Sequence, residues 1–361
     1  MEAAPAEAAA VLPQSTGKTT AGKRVKPYRR RSHRGGAPAF RAMVQFLFLG
    51  LNLWIGAEFY LFVRQFETAG AAHLSRPAGV EGWLPIAGMM NLKYLLTTGQ
   101  VPLVHPAAMF LLAAFLAGSL LFRKSFCGWL CPVGTLSEYL WKLGRVTFRH
   151  NFFLPLWLDI GLRSLKYVLL GLFVYAVGSM PARALAGFLG SPYGLVADVK
   201  MLDFFRYLSL TAALVLAVLV LASLFVQNFW CRYLCPYGAL VGLAALFSPF
   251  RIRRCPDKCI DCAKCAKACP ARLPVDLLVQ IRSAECTGCL DCLAACPVED
   301  ALDLAFVPAG RAVPGWVIGA GALGLFLGAV LLAKATGHWD SPIPDQVYRE
   351  LIPHVREFSH P

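Results

Sequence analysis

The chain carries little charge for its length. Of 361 residues only 16% are Asp, Glu, Lys or Arg, 57% are hydrophobic, and mean hydropathy is +0.55. That balance excludes an ordinary soluble enzyme, and the long apolar runs point to an integral membrane protein. Acid is the scarcer sign: 21 acidic residues against 35 basic ones leave a net charge of +14. A basic balance can mark a nucleic-acid binder, but here the basic residues flank apolar runs, where membrane topology accounts for them, so no nucleic-acid partner is expected. No C-x-x-C-H motif occurs, so c-type haem is not expected.

Cysteine, by contrast, is plentiful. Cys259, Cys262, Cys265 and Cys269 follow the spacing C-x2-C-x2-C-x3-C-P, and Cys286, Cys289, Cys292 and Cys296 repeat it, with Pro270 and Pro297 closing the two runs. This is the two-cluster bacterial ferredoxin pattern. Three cysteines on a tight loop reach three corners of a [4Fe–4S] cubane, and the fourth corner is filled from the other run. Cluster one is therefore expected on Cys259, Cys262, Cys265 and Cys296, and cluster two on Cys286, Cys289, Cys292 and Cys269. Small residues between the ligands (Ala263, Ala266, Ala268, Gly288, Ala294, Ala295) leave room for the inorganic core. Zinc sites favour paired knuckles with a long spacer, which two runs each closed by proline do not match. Cys255, just upstream, reads as a spare thiol or cluster neighbour rather than a ligand.

Five apolar runs are expected to cross the bilayer: about 42–63, 106–122, 162–180, 208–230 and 315–333. Lys and Arg number nine in 1–42, seven in 123–166 and ten in 231–311, against three each in 64–105 and 179–206. The positive-inside rule then places the amino terminus and the ferredoxin segment in the cytoplasm of a bacterial inner membrane and the carboxyl-terminal tail outside. All thirteen cysteines fall on the inner side or within it, as a reducing compartment requires. Residues 1–16 are expected to be disordered and the basic run in 18–41 to act as a lipid-facing anchor. The domains follow: a basic tail (1–41), a four-helix membrane core (42–250), a two-cluster domain (251–310), a fifth helix (311–335) and an outer tail (336–361). Gly319, Gly321 and Gly324 mimic a dinucleotide fingerprint, but no strand precedes them. Gly315/Gly319 and Gly324/Gly328 read instead as close-packing helix steps.

A second cysteine constellation comes from an internal repeat. FCGWLCPVGTL at 126–136 matches WCRYLCPYGAL at 230–240, each after an apolar run and each preceded by a Lys-centred segment (Lys93, Lys200). The pattern reads as a duplicated two-helix unit in parallel orientation. If the helices continue through each C-x3-C-P, the two thiols share one face and the proline ends or kinks the helix. Cys127, Cys131, Cys231 and Cys235 are then expected to converge, either as a metal or cluster site, as a redox thiol pair, or as plain packing of helix ends. Among lone polar groups, His105 and Glu58 read as interfacial residues, with haem, quinone or proton roles as the sharper alternatives. Lys93, Asp198, Lys200 and Asp203 could line one pocket or pair within loops. His338, His354 and His360 are too loosely spaced to suggest a metal site.

Taken together, the two C-x3-C-P motifs, the membrane core and the double ferredoxin run over about residues 42–305 resemble the membrane polyferredoxins of the NosR/NapH type. The resemblance implies an α-helical integral membrane protein carrying a small α+β domain with two [4Fe–4S] clusters. It also implies electron transfer between a redox partner protein and the quinone pool, or support for assembling a respiratory metalloenzyme; a non-enzymatic redox sensor is a third option. Quinone is the further candidate cofactor. The NosR branch carries an outer flavin-binding domain, but no S-G-A-T motif occurs here, so covalent flavin is not expected.

Overall fold

The computed structural model describes residues 29–31, 36–68, 74–149, 151–152 and 154–360. The expected disorder of 1–16 and most of the expected basic anchor lie outside these residues. The chain is mostly helical: α1 (Ala37–Glu67), α2 (Pro85–Thr98), α3 (Pro106–Phe122), α4 (Pro132–Phe148), α5 (Leu156–Ser179), the short α6 (Ala182–Leu189), α7 (Pro192–Leu195) and α8 (Ala197–Arg206), then α9 (Leu210–Phe225) and α10 (Pro236–Ala244). Among the described residues three helices are long and apolar enough to cross a membrane, at Ala37–Glu67, Trp157–Ser179 and Trp316–Ala335; α8 and α9 form a fourth candidate bent by 81°. The protein is a membrane protein. One of the expected spans is shorter than the sequence suggests, and another has the expected bounds but falls short of the hydrocarbon layer. The run at 106–122 is a helix of 17 residues, about 25 Å at ~1.5 Å per residue against a hydrocarbon layer of ~30 Å. The run at 208–230 stops being helical at Phe225.

The ferredoxin segment starts with β1 (Phe250–Arg254), carries two five-residue helices, α11 (Lys264–Ala268) and α12 (Asp291–Ala295), and closes with β2 (Leu302–Phe306) and β3 (Arg311–Ala312). The strands pair antiparallel in the order β1-β2-β3, with Ile252 opposite Leu304. This segment is not a loosely tethered domain. Ile252, Ile281, Leu290 and Leu304 are buried in one continuous core with Trp129, Phe115 of α3, and Ile318 and Ala322 of α13 (Trp316–Ala335). The end of the basic run joins it: Arg30 makes a β-bridge with Val298, and Arg31 donates to the Leu293 and Leu302 carbonyls at 2.5 and 3.1 Å. Residues 29–31 thus lie on the ferredoxin segment, where Arg29 pairs with Glu299 at 3.0 Å.

Two glycines of α13 explain how closely it packs. A Cβ on Gly319 would lie 2.2 Å from the Trp129 ring, and one on Gly321 would lie 2.3 Å from Phe122. Gly315 is also tightly packed, against Leu290, but nothing lies within 4 Å of Gly324 or Gly328. Only the first of the two expected glycine steps is therefore a packing device. At the opposite end of the bundle, α14 (Asp345–Leu351) folds the tail back onto α1, where Tyr348 meets Phe62 edge-on at 5.4 Å.

Candidate metal centre

Each ferredoxin run makes the same turn. The residue before the middle cysteine is left-handed (Asp261, φ 53°; Gly288, φ 64°), and so is the residue after it (Ala263, φ 54°; Leu290, φ 65°). A left-handed non-glycine residue costs about 1–2 kcal/mol, so three of them in two matched loops need a common cause. Successive turns of this kind turn backbone N–H groups inward and make a cradle for an anionic group, as iron–sulfur sites require. The short helices α11 and α12 follow at once and carry the third cysteine of each run.

The side chains sort into two groups of four. Cys296 lies within electrostatic range of Cys259, Cys262 and Cys265, and Cys269 within range of Cys286, Cys289 and Cys292. These are the two sets that the exchange of fourth cysteines would use. Cys269, Cys286, Cys289 and Cys292 also line one cavity with Ile252 and Leu273. Burial pushes the Cys265 thiol up to about 11, so a cationic centre is needed to hold it as thiolate at neutral pH. Among the described residues no three His, Cys, Asp or Glu side chains stand close enough to hold one metal ion; thiolates on separate corners of a cubane stand farther apart than that. Cys255 ends the segment after β1, its N–H donating to the Ala301 carbonyl at 3.0 Å.

The C-x3-C-P motifs differ from expectation in one respect. The proline does not end a helix but starts one. Phe126–Leu130 and Trp230–Leu234 each form a single π-turn, closed by Cys131 N–H to Phe126 O (2.9 Å) and Cys235 N–H to Trp230 O (3.0 Å). The second cysteine is then extended and caps the next helix, its sulfur accepting from Gly134 N–H at 3.4 Å or Gly238 N–H at 3.2 Å. Proline lacks an N–H, and the first position of a helix needs none. The four thiols do converge: Cys127, Cys131, Cys231 and Cys235 all lie within electrostatic range of one another.

The two cysteine sets are in direct contact through their loops. Gly128, between Cys127 and Cys131, packs so tightly on Thr287 that a Cβ would lie 2.8 Å from its carbonyl oxygen. Its neighbour Trp129 donates Nε1–H to Gly288 O at 3.0 Å. Arg41 of α1 ties the joint: Nε donates to Gly128 O at 2.9 Å, Nη1 reaches Asp291 at 3.1 Å, and Nη2 pairs with Glu138. Lys166 is fully buried and bonds Glu285, beside Cys286, at 2.5 Å. Burial alone would raise the Glu285 carboxyl, but Lys124 and Lys166 outweigh it and hold it below the usual carboxylate range. Nothing in the sequence signals these contacts beyond the small residue at 128.

A family model described as a 4Fe-4S binding domain matches residues 104–150 and again 208–255, and one described as a 4Fe-4S dicluster domain matches 251–297. The Escherichia coli (strain K12) protein YccM, named for a proposed role in electron transport, is 48% identical over 90% of this chain and 92% of its own. This chain belongs to the NosR/NapH-type membrane polyferredoxins. Within that family the regulatory protein NosR of Pseudomonas aeruginosa is 33% identical over 52% of this chain and 26% of its own. The ferredoxin-type protein NapH of Escherichia coli is 27% identical over 41% and 48%. No solved structure matches.

In this polyferredoxin a cavity of about 840 Å³ leads from the C-x3-C-P cysteines towards the end of the bundle remote from the ferredoxin segment. All four cysteines border the cavity, beside Phe115, Tyr237 and Phe326. Leu51 and Leu327, both exposed, border it too, so it opens on the flank of the bundle between α1 and α13. Glu58 and Arg76 line the remote end.

Behind Arg76 lies a group that corrects the reading of His105 as interfacial. His105 is fully buried; Nε2 meets Gly194 O at 2.9 Å, while Nδ1 faces Arg76 Nη2 at 3.2 Å and Glu81 Oε1 at 3.4 Å. Arg76 also bonds Glu81 at 2.7 Å and Asp198 at 2.8 Å. Burial would lower the His105 imidazole, but the hydrogen bond to Glu81 and the Glu81 and Asp198 charges raise it overall. A shared pocket of Lys93, Asp198, Lys200 and Asp203 is not formed. Lys93 caps the carbonyls of Val177, Gly178 and Met180 at the end of α5, Lys200 sits over the Tyr193 ring, and Asp203 pairs with Arg206.

Proposed function

We propose that this polyferredoxin relays electrons between a partner protein on the cytoplasmic face and a redox site in the membrane helices. Cys259, Cys262, Cys265 and Cys296 would hold one [4Fe–4S] cluster and Cys286, Cys289, Cys292 and Cys269 the other; bound there, the clusters supply one-electron transfer. The observation that carries the reading is the joint between Gly128–Trp129 and Thr287–Gly288. It sets the loop of the second ferredoxin run on the first C-x3-C-P turn with no space for a side chain between them.

Cys127, Cys131, Cys231 and Cys235 are the membrane-side redox site in this reading, as ligands or as reactive thiols. Their role is supported by convergence, by the matched π-turns and by the double match of one family model. The same matches support a duplicated two-helix unit, with α3 and the bent α8–α9 pair completing five crossings. The cavity beside the cysteines suits a quinone ring, with apolar walls and a lateral mouth for its tail. The excess of Lys and Arg on the ferredoxin side supports a cytoplasmic orientation in a bacterial inner membrane. An EPR-monitored redox titration of purified membranes, with and without quinol, tests the relay. Quinol should reduce, or a quinone analogue oxidise, the cluster signals. Clusters that titrate with dithionite but never exchange electrons with either would rule the quinone out.

A further inference from the structure

Resting on that reading of the four C-x3-C-P cysteines, we infer that Lys124 is their built-in counter-cation and sets how readily the site takes up an electron. Lys124 is only 4% exposed. It lines a chamber of about 50 Å³ between the cysteine site and the second ferredoxin loop, together with Cys127, Cys231, Glu285 and Thr287. Two other cations line that chamber, and each has its own carboxylate: Arg41 has Glu138 and Asp291, and Arg232 has Asp159. Lys124 has no carboxylate to itself: Glu285 lies within its electrostatic range but is bonded to Lys166, so two buried ammoniums share one acid.

One carboxylate between two buried ammoniums leaves a positive charge without a partner. Besides Glu285, the groups within the electrostatic range of Lys124 are Cys127, Cys231 and Cys235. Lys124 and Lys166 against Glu285 leave one positive charge facing four sulfurs. A fixed positive charge favours the reduced, more negative state of a neighbouring centre and so raises its midpoint potential. The α10 helix is shaped for this approach: at Gly242 a Cβ would lie 3.5 Å from Lys124 Nζ and 2.9 Å from the Ala284 carbonyl oxygen.

The test uses full-length protein prepared anaerobically. The midpoint of the C-x3-C-P site is read by EPR if it holds a cluster and by thiol labelling at poised potentials if it does not. Lys124→Met should shift that midpoint negative by at least the equivalent of a tenfold change in the electron equilibrium, about 59 mV for one electron. Both ferredoxin midpoints should stay in place. Lys124→Arg should keep most of the wild-type value, and Lys166→Met should shift it in the same direction as Lys124→Met. An unchanged midpoint in Lys124→Met, or an equal shift in Lys124→Arg, overturns the inference. If Lys124→Met does not assemble, as judged by lost ferredoxin signals, the Arg and Lys166 variants decide it alone. A wild-type protein with no third redox centre, and no loss of any on Cys127→Ser, would instead bring down the relay reading on which the inference stands.

Discussion

The two ferredoxin runs share a turn but not an environment. In the first, the middle cysteine Cys262 is exposed, and the left-handed residue before it, Asp261, faces solvent. In the second, Cys289 is buried; its left-handed neighbour is Gly288, whose carbonyl takes the Trp129 hydrogen bond and whose Cα packs under Arg123 and Ile318. Aspartate can bear the left-handed backbone where its side chain is free to point away, whereas the packed site takes glycine. The first run therefore has an open face. The second is built into the membrane helices.

The largest break in this comparison should come from the ligands. Cys289→Ser should remove one cubane's worth of iron and sulfide and loosen the joint with the helices, while Cys262→Ser should remove the same iron and leave the joint intact. Metal analysis with hydrogen exchange over residues 287–290 would separate them. Next comes Arg41→Gln. It takes Arg41 from the half-buried Asp291 and from the buried Glu138, which keeps Lys142 and Gln45, and should cost about 3 kcal/mol, the low end for breaking a buried pair, read from thermal unfolding in detergent. Gly128→Ala should cost about 1–3 kcal/mol, because the methyl would press on the Thr287 carbonyl, and should slow electron exchange between domain and membrane. Gly324→Ala, with nothing within 4 Å, should stay within about 0.5 kcal/mol.

Acid should act on the second run alone. The Glu285 carboxyl is held below its ordinary value, so its stabilising effect is fully present above about pH 4.3 and is lost as pH falls through the lower folded value. Exchange at residues 287–290 should then rise before that of the first run. The smallest effect is expected from Lys258→Ala. Its ion pair with Asp300 is exposed, and the variant should unfold like the wild type.

How much of this was legible in the sequence follows from what fixes each feature. Cysteine spacing limits which thiols can share a cubane, so the expectation that Cys269 and Cys296 exchange is legible in the sequence. Apolar runs likewise located α1, α5 and α13. The direction of the C-x3-C-P turn was misread, because a proline after a helix-like stretch suits a stop and a start equally; Gly134 and Gly238, three residues beyond each second cysteine, supply the capping N–H groups and mark a start. His105 was misjudged because its partners Arg76, Glu81 and Gly194 are all remote from it in the sequence. Lys124 gave no signal at all, since a lysine next to Arg123 at a helix end looks like any topology marker.

The Arg30–Val298 bridge has a consequence for biogenesis. The two residues it joins stand 268 positions apart in the chain (298 − 30), so Arg30 can dock only after the helices between them, α1 to α12, have been made. Until then its guanidinium waits unclasped, and the clasp forms late, when Val298 arrives to receive it. Chains interrupted before Val298 should leave that arm open to protease, which makes its protection a convenient clock for completed assembly.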